Sequence, residues 1–258
     1  MSDDRLLAAC ALAREAGLLA RRRLAGRAEG GLAVEEKGPQ DPVSAADREA
    51  EALIRARLAR AFPGDGVLGE EEGGEAAERL WVVDPIDGTA NYVRAMPGFS
   101  VSIAYVEGGR TQLGVVYAPM DDEMFVAARG AGAFCNGEAI GVTGCTSLAR
   151  AIVGLGYSVR TPRGPFLGAL DRLLAAGGEF RRLGSTALGL PRVAPGRLDA
   201  FWTPGTNSWD CLAGLLLVAE AGGWASDFLA GGGILGRRAA LGCAPALAGP
   251  LRAVLAAG

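Results

Sequence analysis

Two aspartates stand three residues apart in Asp84-Pro85-Ile86-Asp87-Gly88-Thr89, directly after the apolar run Leu80–Val83. Such a run has the character of a strand, and Pro85 fixes the backbone and removes a donor where it ends. A strand stopping at Asp-Pro aims both carboxylates into one small space beyond the sheet edge. Two charges that close repel, and one takes up a proton unless a cation lies between them. All-oxygen ligands suit Mg²⁺ or Mn²⁺ rather than a soft metal. Gly88 permits close approach of a neighbouring group, and a helix beginning near Thr89 would offer free N–H groups to a phosphate oxygen. The stretch thus supplies metal ligands and an anion cradle, which metal-assisted phosphate chemistry requires. The plain alternative is an ordinary Asp-Pro turn; the full string Trp81–Thr89 favours a site.

Three further acids could join this pair. Glu70 ends the short apolar run Val67-Leu68 and lies 14 residues before Asp84, so a neighbouring strand could bring it to the same cation. Asp47 lies three residues after Ser44 in Asp41-Pro42-Val43-Ser44-Ala45-Ala46-Asp47, the spacing of a capping box. Asp210 falls in the first turn of a helix from Ser208, in Trp209-Asp210-Cys211-Leu212-Ala213-Gly214. Taken singly, Asp47 and Asp210 are helix-start acids favoured by the dipole.

The chain has no histidine. Ser-His-Asp and Cys-His catalysis, a phosphohistidine and any His-based zinc site are excluded. Acid–base work falls to carboxylates, hydroxyls, lysine or water on a metal. The sole lysine, Lys37, sits in a Gly/Pro-flanked loop unsuited to a desolvated catalytic amine. Net charge is −3 over 258 residues, so no global basic field calls for nucleic acid. No apolar run approaches membrane-spanning length, and the acidic start is unlike a signal peptide. Five cysteines without a CxxC pair fit a reducing, cytoplasmic setting.

The elements that must position these acids follow from periodicity. Leu6, Cys10, Ala13, Gly17 and Leu24 predict an amphipathic helix over 4–24, ending in the basic run Arg21–Arg23 plus Arg27. That run fits a solvated helix C-terminus better than an anion or RNA patch. Glu29–Gln40 is a mobile loop or short strand pair, and a helix follows Ser44 to about Phe62. Phe99–Val106, Gln112–Tyr117, Glu123–Ala128 and Gly132–Asn136 predict a meander. The first half is therefore two helices against an antiparallel sheet. In the second half, strands at 152–157, 180–183, 198–203, 224–226 and 240–242 alternate with helices at 165–176, from 184, at 208–221 and at 246–255. That alternation implies an α/β half. We expect one α/β (α+β) domain over 1–258, with approximate halves 1–145 and 146–258.

The sequence resembles the inositol monophosphatase family of Mg²⁺-dependent, lithium-sensitive phosphatases. Four motifs carry the resemblance in order: Asp41–Asp47, Gly69–Glu71, Trp81–Thr89, and Trp209–Gly214 with Glu220–Gly223. It implies a layered αβαβα sugar-phosphatase fold, usually a homodimer, acting on phosphate monoesters with about two or three Mg²⁺ ions. It puts a first metal on Glu70, Asp84 and the Ile86 carbonyl, and a second on Asp84, Asp87 and Asp210. A third, weaker one would sit on Glu70 with waters. The phosphate would lie against the Gly88 and Thr89 amides, bordered by Asp87 and Asp210. Asp47 and Thr89 would orient the attacking water with Glu70 close by, and Ala187 falls where the family's backbone touches substrate.

One position departs from the family's pattern. Seven residues before the motif Asp210, inositol-type members usually carry a Glu that binds ring hydroxyls; here it is Thr203. A short neutral side chain cannot accept two hydroxyl donors as a carboxylate does, and such sites discriminate strongly when a partner is missing. Hydrolysis is retained on this reading, while myo-inositol as leaving group is in question. Fructose bisphosphate, histidinol phosphate and 3′-phosphoadenosine nucleotides are the alternatives the family offers. Some bacterial relatives also bind the transcription machinery, a role that Arg21–Arg27 could serve although net charge does not indicate it.

Overall fold

The computed structural model describes residues 3–26, 34–38, 41–231 and 233–256. Arg27, residues 29–33 and Pro39-Gln40 lie outside them, as does the side chain of Lys37. Helix α1 (Asp3–Ala25) is followed by a small antiparallel pair, β1 (Val34–Gly38) and β2 (Asp41–Ser44), and by α2 (Ala45–Ala61). The main sheet then contains β3 (Gly66–Gly69), β4 (Arg79–Asp87), β5 (Ser100–Glu107), β6 (Arg110–Ala118), β7 (Glu123–Ala128), β8 (Gly132–Cys135) and β9 (Glu138–Ala139), in that spatial order. A single helical turn, α3 (Thr89–Tyr92), leaves β4.

The second half contains β10 (Ile152–Leu155), α4 (Arg163–Ala175), β11 (Glu179–Arg181), α5 (Thr186–Gly189), β12 (Ala200–Thr206), α6 (Ser208–Glu220), β13 (Trp224–Ala225), β14 (Arg238–Cys243) and α7 (Ala248–Ala256). Its five strands order as β11-β10-β12-β14-β13. Strand β10 is parallel to β11 and β12, while β14 is antiparallel to both of its neighbours.

The layers follow from which side of β4 each residue faces. Trp81 and Val83 pack with Ala9, Ala13 and Ala16 of α1 and with Ile54 and Leu58 of α2. Leu80 and Val82 face the opposite cluster with Leu212, Leu215 and Leu216 of α6. This is the period of two of a strand buried on both faces. Beyond the second sheet, Ala169 and Leu173 of α4 and Leu251 and Leu255 of α7 cover Val153, Ala200 and Leu241. The order helices, sheet, helices, sheet, helices is the αβαβα architecture the resemblance implies. Helix α6 is the central layer, and Gly114 lets it come close: a Cβ there would meet the Ala213 Cα at 2.7 Å.

Two expectations are corrected. The first half is not wholly antiparallel, because β3 runs parallel to β4 with Gly69 opposite Val83. Parallel pairing makes both strands end on the same side, so Glu70 emerges beside Asp84. Nor does β4 stop at Asp84-Pro85; it runs on to Asp87 through a bulge. Asp84 pairs with Ser102 and Asp87 with Ser100, so three steps on β4 match two on β5. Residues three apart on a regular strand point to opposite faces. The extra residue cancels that alternation and brings Asp84 and Asp87 to one side.

The Glu220–Gly223 motif is structural. Glu220 accepts from the Gly130 and Gly132 amides at 2.9 and 3.0 Å, tying the end of α6 to the β7–β8 turn. Glu220→Ala should cost about 1–2 kcal/mol in a denaturation experiment, with turnover per folded molecule preserved.

Candidate active site

Four aspartates converge where β4 ends and where α2 and α6 begin, and each has one oxygen fixed by the scaffold. The Asp84 Oδ1 accepts from the Ile86 amide at 3.1 Å. The Asp87 Oδ2 accepts from the Ser185 hydroxyl and from the Ala187 amide, the latter at 2.7 Å. The Asp210 Oδ2 accepts from the Thr206 hydroxyl at 2.5 Å and the Asn207 amide at 2.9 Å. The fourth is Asp47, whose Oδ2 accepts from the Ser44 hydroxyl at 2.5 Å and the Ser44 amide at 2.9 Å. Asp47 and Asp210 are both third residues of capping boxes, so local helix-start geometry aims them.

Carboxylate oxygens of Glu70, Asp84 and Asp210 all lie within 4.8 Å of one another. The Asp84 Oδ2 is buried and has no hydrogen-bond partner. Such an atom is costly unless something positive meets it. Burial, then the charges of Glu70, Asp87, Asp210 and Asp47, push the Asp84 carboxyl well above the usual range. Burial, then Asp210, pushes Asp87 up to about 7. Asp210 is also raised by burial, against its bonds to Thr206 and Asn207. These are hard oxygen donors in need of a counter-charge, and they fit a divalent cation. Asp87 stands outside the 4.8 Å group, although its charge is felt at Asp84.

Gly88 caps α3 with φ +90°, a left-handed conformation. A Cβ there would meet the Gly98 carbonyl oxygen at 2.7 Å and the Ser185 Cβ at 3.1 Å, so only glycine fits. The Thr89 hydroxyl lies 3.0 Å from the Ile86 carbonyl oxygen and 3.3 Å from the Asp47 Oδ1. Burial pushes Asp47 up to about 6. Glu70, Asp87 and Asp210 border a cavity of about 650 Å³ whose lining also includes Gly88, Thr89, Thr186 and Thr203. Ala187 does not line it: it is fully buried and its amide is taken by Asp87. From that turn, Ser185 and Thr186 reach the cavity.

Three contributors escaped the sequence reading. Ser185 and Thr206 each hold a site aspartate. Glu51 is fully buried on α2 and accepts from the Glu71 and Glu72 amides at 2.8 and 3.0 Å. Its only cationic partner among the described contacts is Arg55, at 2.8 Å. Glu51 therefore fixes the loop that presents Glu70, and Gly69 has no side chain because a Cβ would collide with the Glu51 carboxylate. The available signal was an acid on the apolar stripe Ala50, Ile54 and Leu58. Glu51→Gln should weaken Mg²⁺ binding about tenfold or more, read by titration calorimetry, because it loosens a ligand's support.

The model of the inositol monophosphatase family matches residues 2–255. The chain belongs to the inositol monophosphatase family. An inositol-1-monophosphatase of Mesorhizobium japonicum is 46% identical over 201 residues, 76% of each chain. The Nus factor SuhB of Pseudomonas aeruginosa is 43% identical over 206 residues, also 76% of each. The crystal structure of the extragenic suppressor protein suhB from Bartonella henselae superposes with a TM-score of 0.90 at 36% identity, covering 99% of both chains. As an inositol monophosphatase family member the chain is a phosphoric monoester hydrolase, of a family that depends on metal. No helix among its described residues is long and apolar enough to cross a membrane.

Proposed function

We propose that the chain hydrolyses the phosphate monoester of a sugar or polyol, with Mg²⁺ held by Glu70, Asp84, Asp87, Asp210 and the Ile86 carbonyl. The observation that carries this is the trio of carboxylates within 4.8 Å, one bearing a buried unpartnered oxygen, at a cavity bordered by Gly88 and Thr89. Bound there, a divalent cation neutralises phosphoryl charge and acidifies water. The remaining work falls to the protein. The Gly88–Thr89 backbone cradles a phosphoryl oxygen. The Thr89 hydroxyl, between the Ile86 carbonyl and Asp47, orients the attacking water. Asp47, buried with its Oδ1 beside the Thr89 hydroxyl, is placed to accept a proton from that water. Water oxygen bonds to phosphorus as the ester P–O bond breaks, and the leaving alcohol takes up a proton.

The test is a panel of phosphate monoesters assayed with and without Mg²⁺ or Mn²⁺. Release of inorganic phosphate that vanishes on chelation is the expected result; metal-independent release, or none, would overturn the reading. A homodimer is the assembly we expect in solution, checked by light scattering.

A second reading, contact with a transcription complex, is favoured by the relative named a Nus factor and by the exposure of Arg21 and Arg22. Reversing those two charges should abolish partner capture while phosphate release continues.

A further inference from the structure

The geometry points to a substrate whose leaving group carries its own negative charge, recognised by Arg237 over the end of β12. This inference rests on the phosphatase reading and names the substrate class of the same site. The cavity has two unlike ends. The phosphoryl end is acidic, with Glu70, Asp87 and Asp210. At the other, the floor is neutral: Thr203 is nearly buried, and Gly156 lies against it so closely that a Cβ would meet the Thr203 Oγ1 at 2.8 Å.

The rim above that floor is cationic. The exposed Arg237 precedes β14 and crosses β12, donating to the Gly205 carbonyl at 2.7 Å and lying 3.4 Å from the Ser158 hydroxyl. Its charge reaches Asp210. Arg182 approaches the same segment, at 3.4 Å from the Tyr157 carbonyl. Both line the cavity. Neither makes an ion pair among the described contacts, so their charge is available to an incoming anion. A guanidinium has five donors in a planar fork suited to carboxylate or phosphate, and Arg237 has spent few of them. Position 203 offers them no carboxylate, being Thr; the acid whose charge Arg237 meets is Asp210, at the phosphoryl end. A neutral polyol would leave this charge unused; a leaving group bearing a phosphate or carboxylate would meet it.

The test compares substrate pairs that share a scissile phosphate, using the Mg²⁺-loaded full chain. One arm sets fructose 1,6-bisphosphate against fructose 1-phosphate; the other sets 3-phosphoglycerate against glycerol 3-phosphate. We expect kcat/KM to favour the anionic leaving group about tenfold or more in at least one arm. The first arm alone would specify a second phosphate, the second alone a carboxylate. Arg237→Gln should shrink that ratio about tenfold, mainly through KM, and 0.5 M NaCl should shrink it in the wild type. Arg237 is exposed, so a folding defect is not expected, and the melting temperature checks it. Thr203→Glu should invert the preference toward neutral alcohols. Equal rates in both arms, or a ratio untouched by Arg237→Gln, would overturn this inference and leave the phosphatase reading standing. Absence of turnover on every ester would overturn both.

Discussion

Asp84→Asn is expected to reduce kcat/KM by about a thousandfold or more while making the metal-free protein more stable above neutral pH. The two effects have one cause. Asp84 is buried at the centre of four other carboxylates, and its Oδ2 has no partner. Without a cation, its negative charge is desolvated and repelled, so deleting the charge relieves strain. The new amide N–H would find acceptors in Glu70 or Asp210, whose oxygens lie within 4.8 Å. With the charge gone, the site no longer concentrates the cation that offsets the phosphoryl charge. The check is a pair of measurements on one sample: steady-state kinetics with Mg²⁺, and thermal melting in chelator at pH 8. Near-normal Mg²⁺-dependent turnover would remove Asp84 from the metal centre. A large drop in melting temperature would show that the carboxylate is structural.

The second large effect concerns pH. In chelator, the melting temperature should fall by about 5–10 °C between pH 5 and pH 8. Asp47 titrates at about 6 and Asp87 at about 7 in the folded chain, and both start from 3.8 when unfolded. Between about pH 4 and 7 the folded state therefore binds more protons than the unfolded state. Stability then declines as pH rises through the folded values, the opposite sense to a salt-bridged carboxylate. For Asp87 alone the rise amounts to about 4 kcal/mol at most, part of it lost to relaxation. Glu123, held low by its bond to Arg197, changes only at lower pH and does not blur this window. Adding Mg²⁺ should cancel the decline, because the cation binds the deprotonated acids. Its stabilising effect should be several-fold larger at pH 8 than at pH 5. A metal-free protein equally stable at both pH values would contradict the packing of these acids.

What the sequence made legible was local. The apolar run that becomes β4 and the helix that follows Ser44 are read from neighbouring residues, and Ser44–Asp47 carries its capping box within four residues. Asp210 has the same device with Asn207. Helix α1 was placed to within a residue at each end, though Ala9, Leu12, Ala16 and Ala20 line its buried face alongside Ala13 and Leu24, with Leu6 and Cys10 at the margin. What stayed hidden depended on pairing between distant segments. The bulge at Pro85-Ile86 exists only relative to Ser100 and Ser102 on β5. The Ser185–Asp87 bond spans 98 residues. Nothing near Gly69 announces that Glu51 must fill the space a side chain would occupy. Arg237 was invisible as a site residue because its meaning comes from Gly205 and Ser158, brought to it by the β12–β14 pairing.

The capping boxes bear on descent. Asp47 and Asp210 begin helices as well as serving the cavity, so a lineage that gave up hydrolysis would still be selected to keep them for folding. Asp84 has no such second employment for its outer oxygen, and without a cation it is a burden. Among relatives that have drifted into non-enzymatic duties, position 84 should be the first of these acids to change, and its identity is a better marker of retained turnover than either helix-start aspartate.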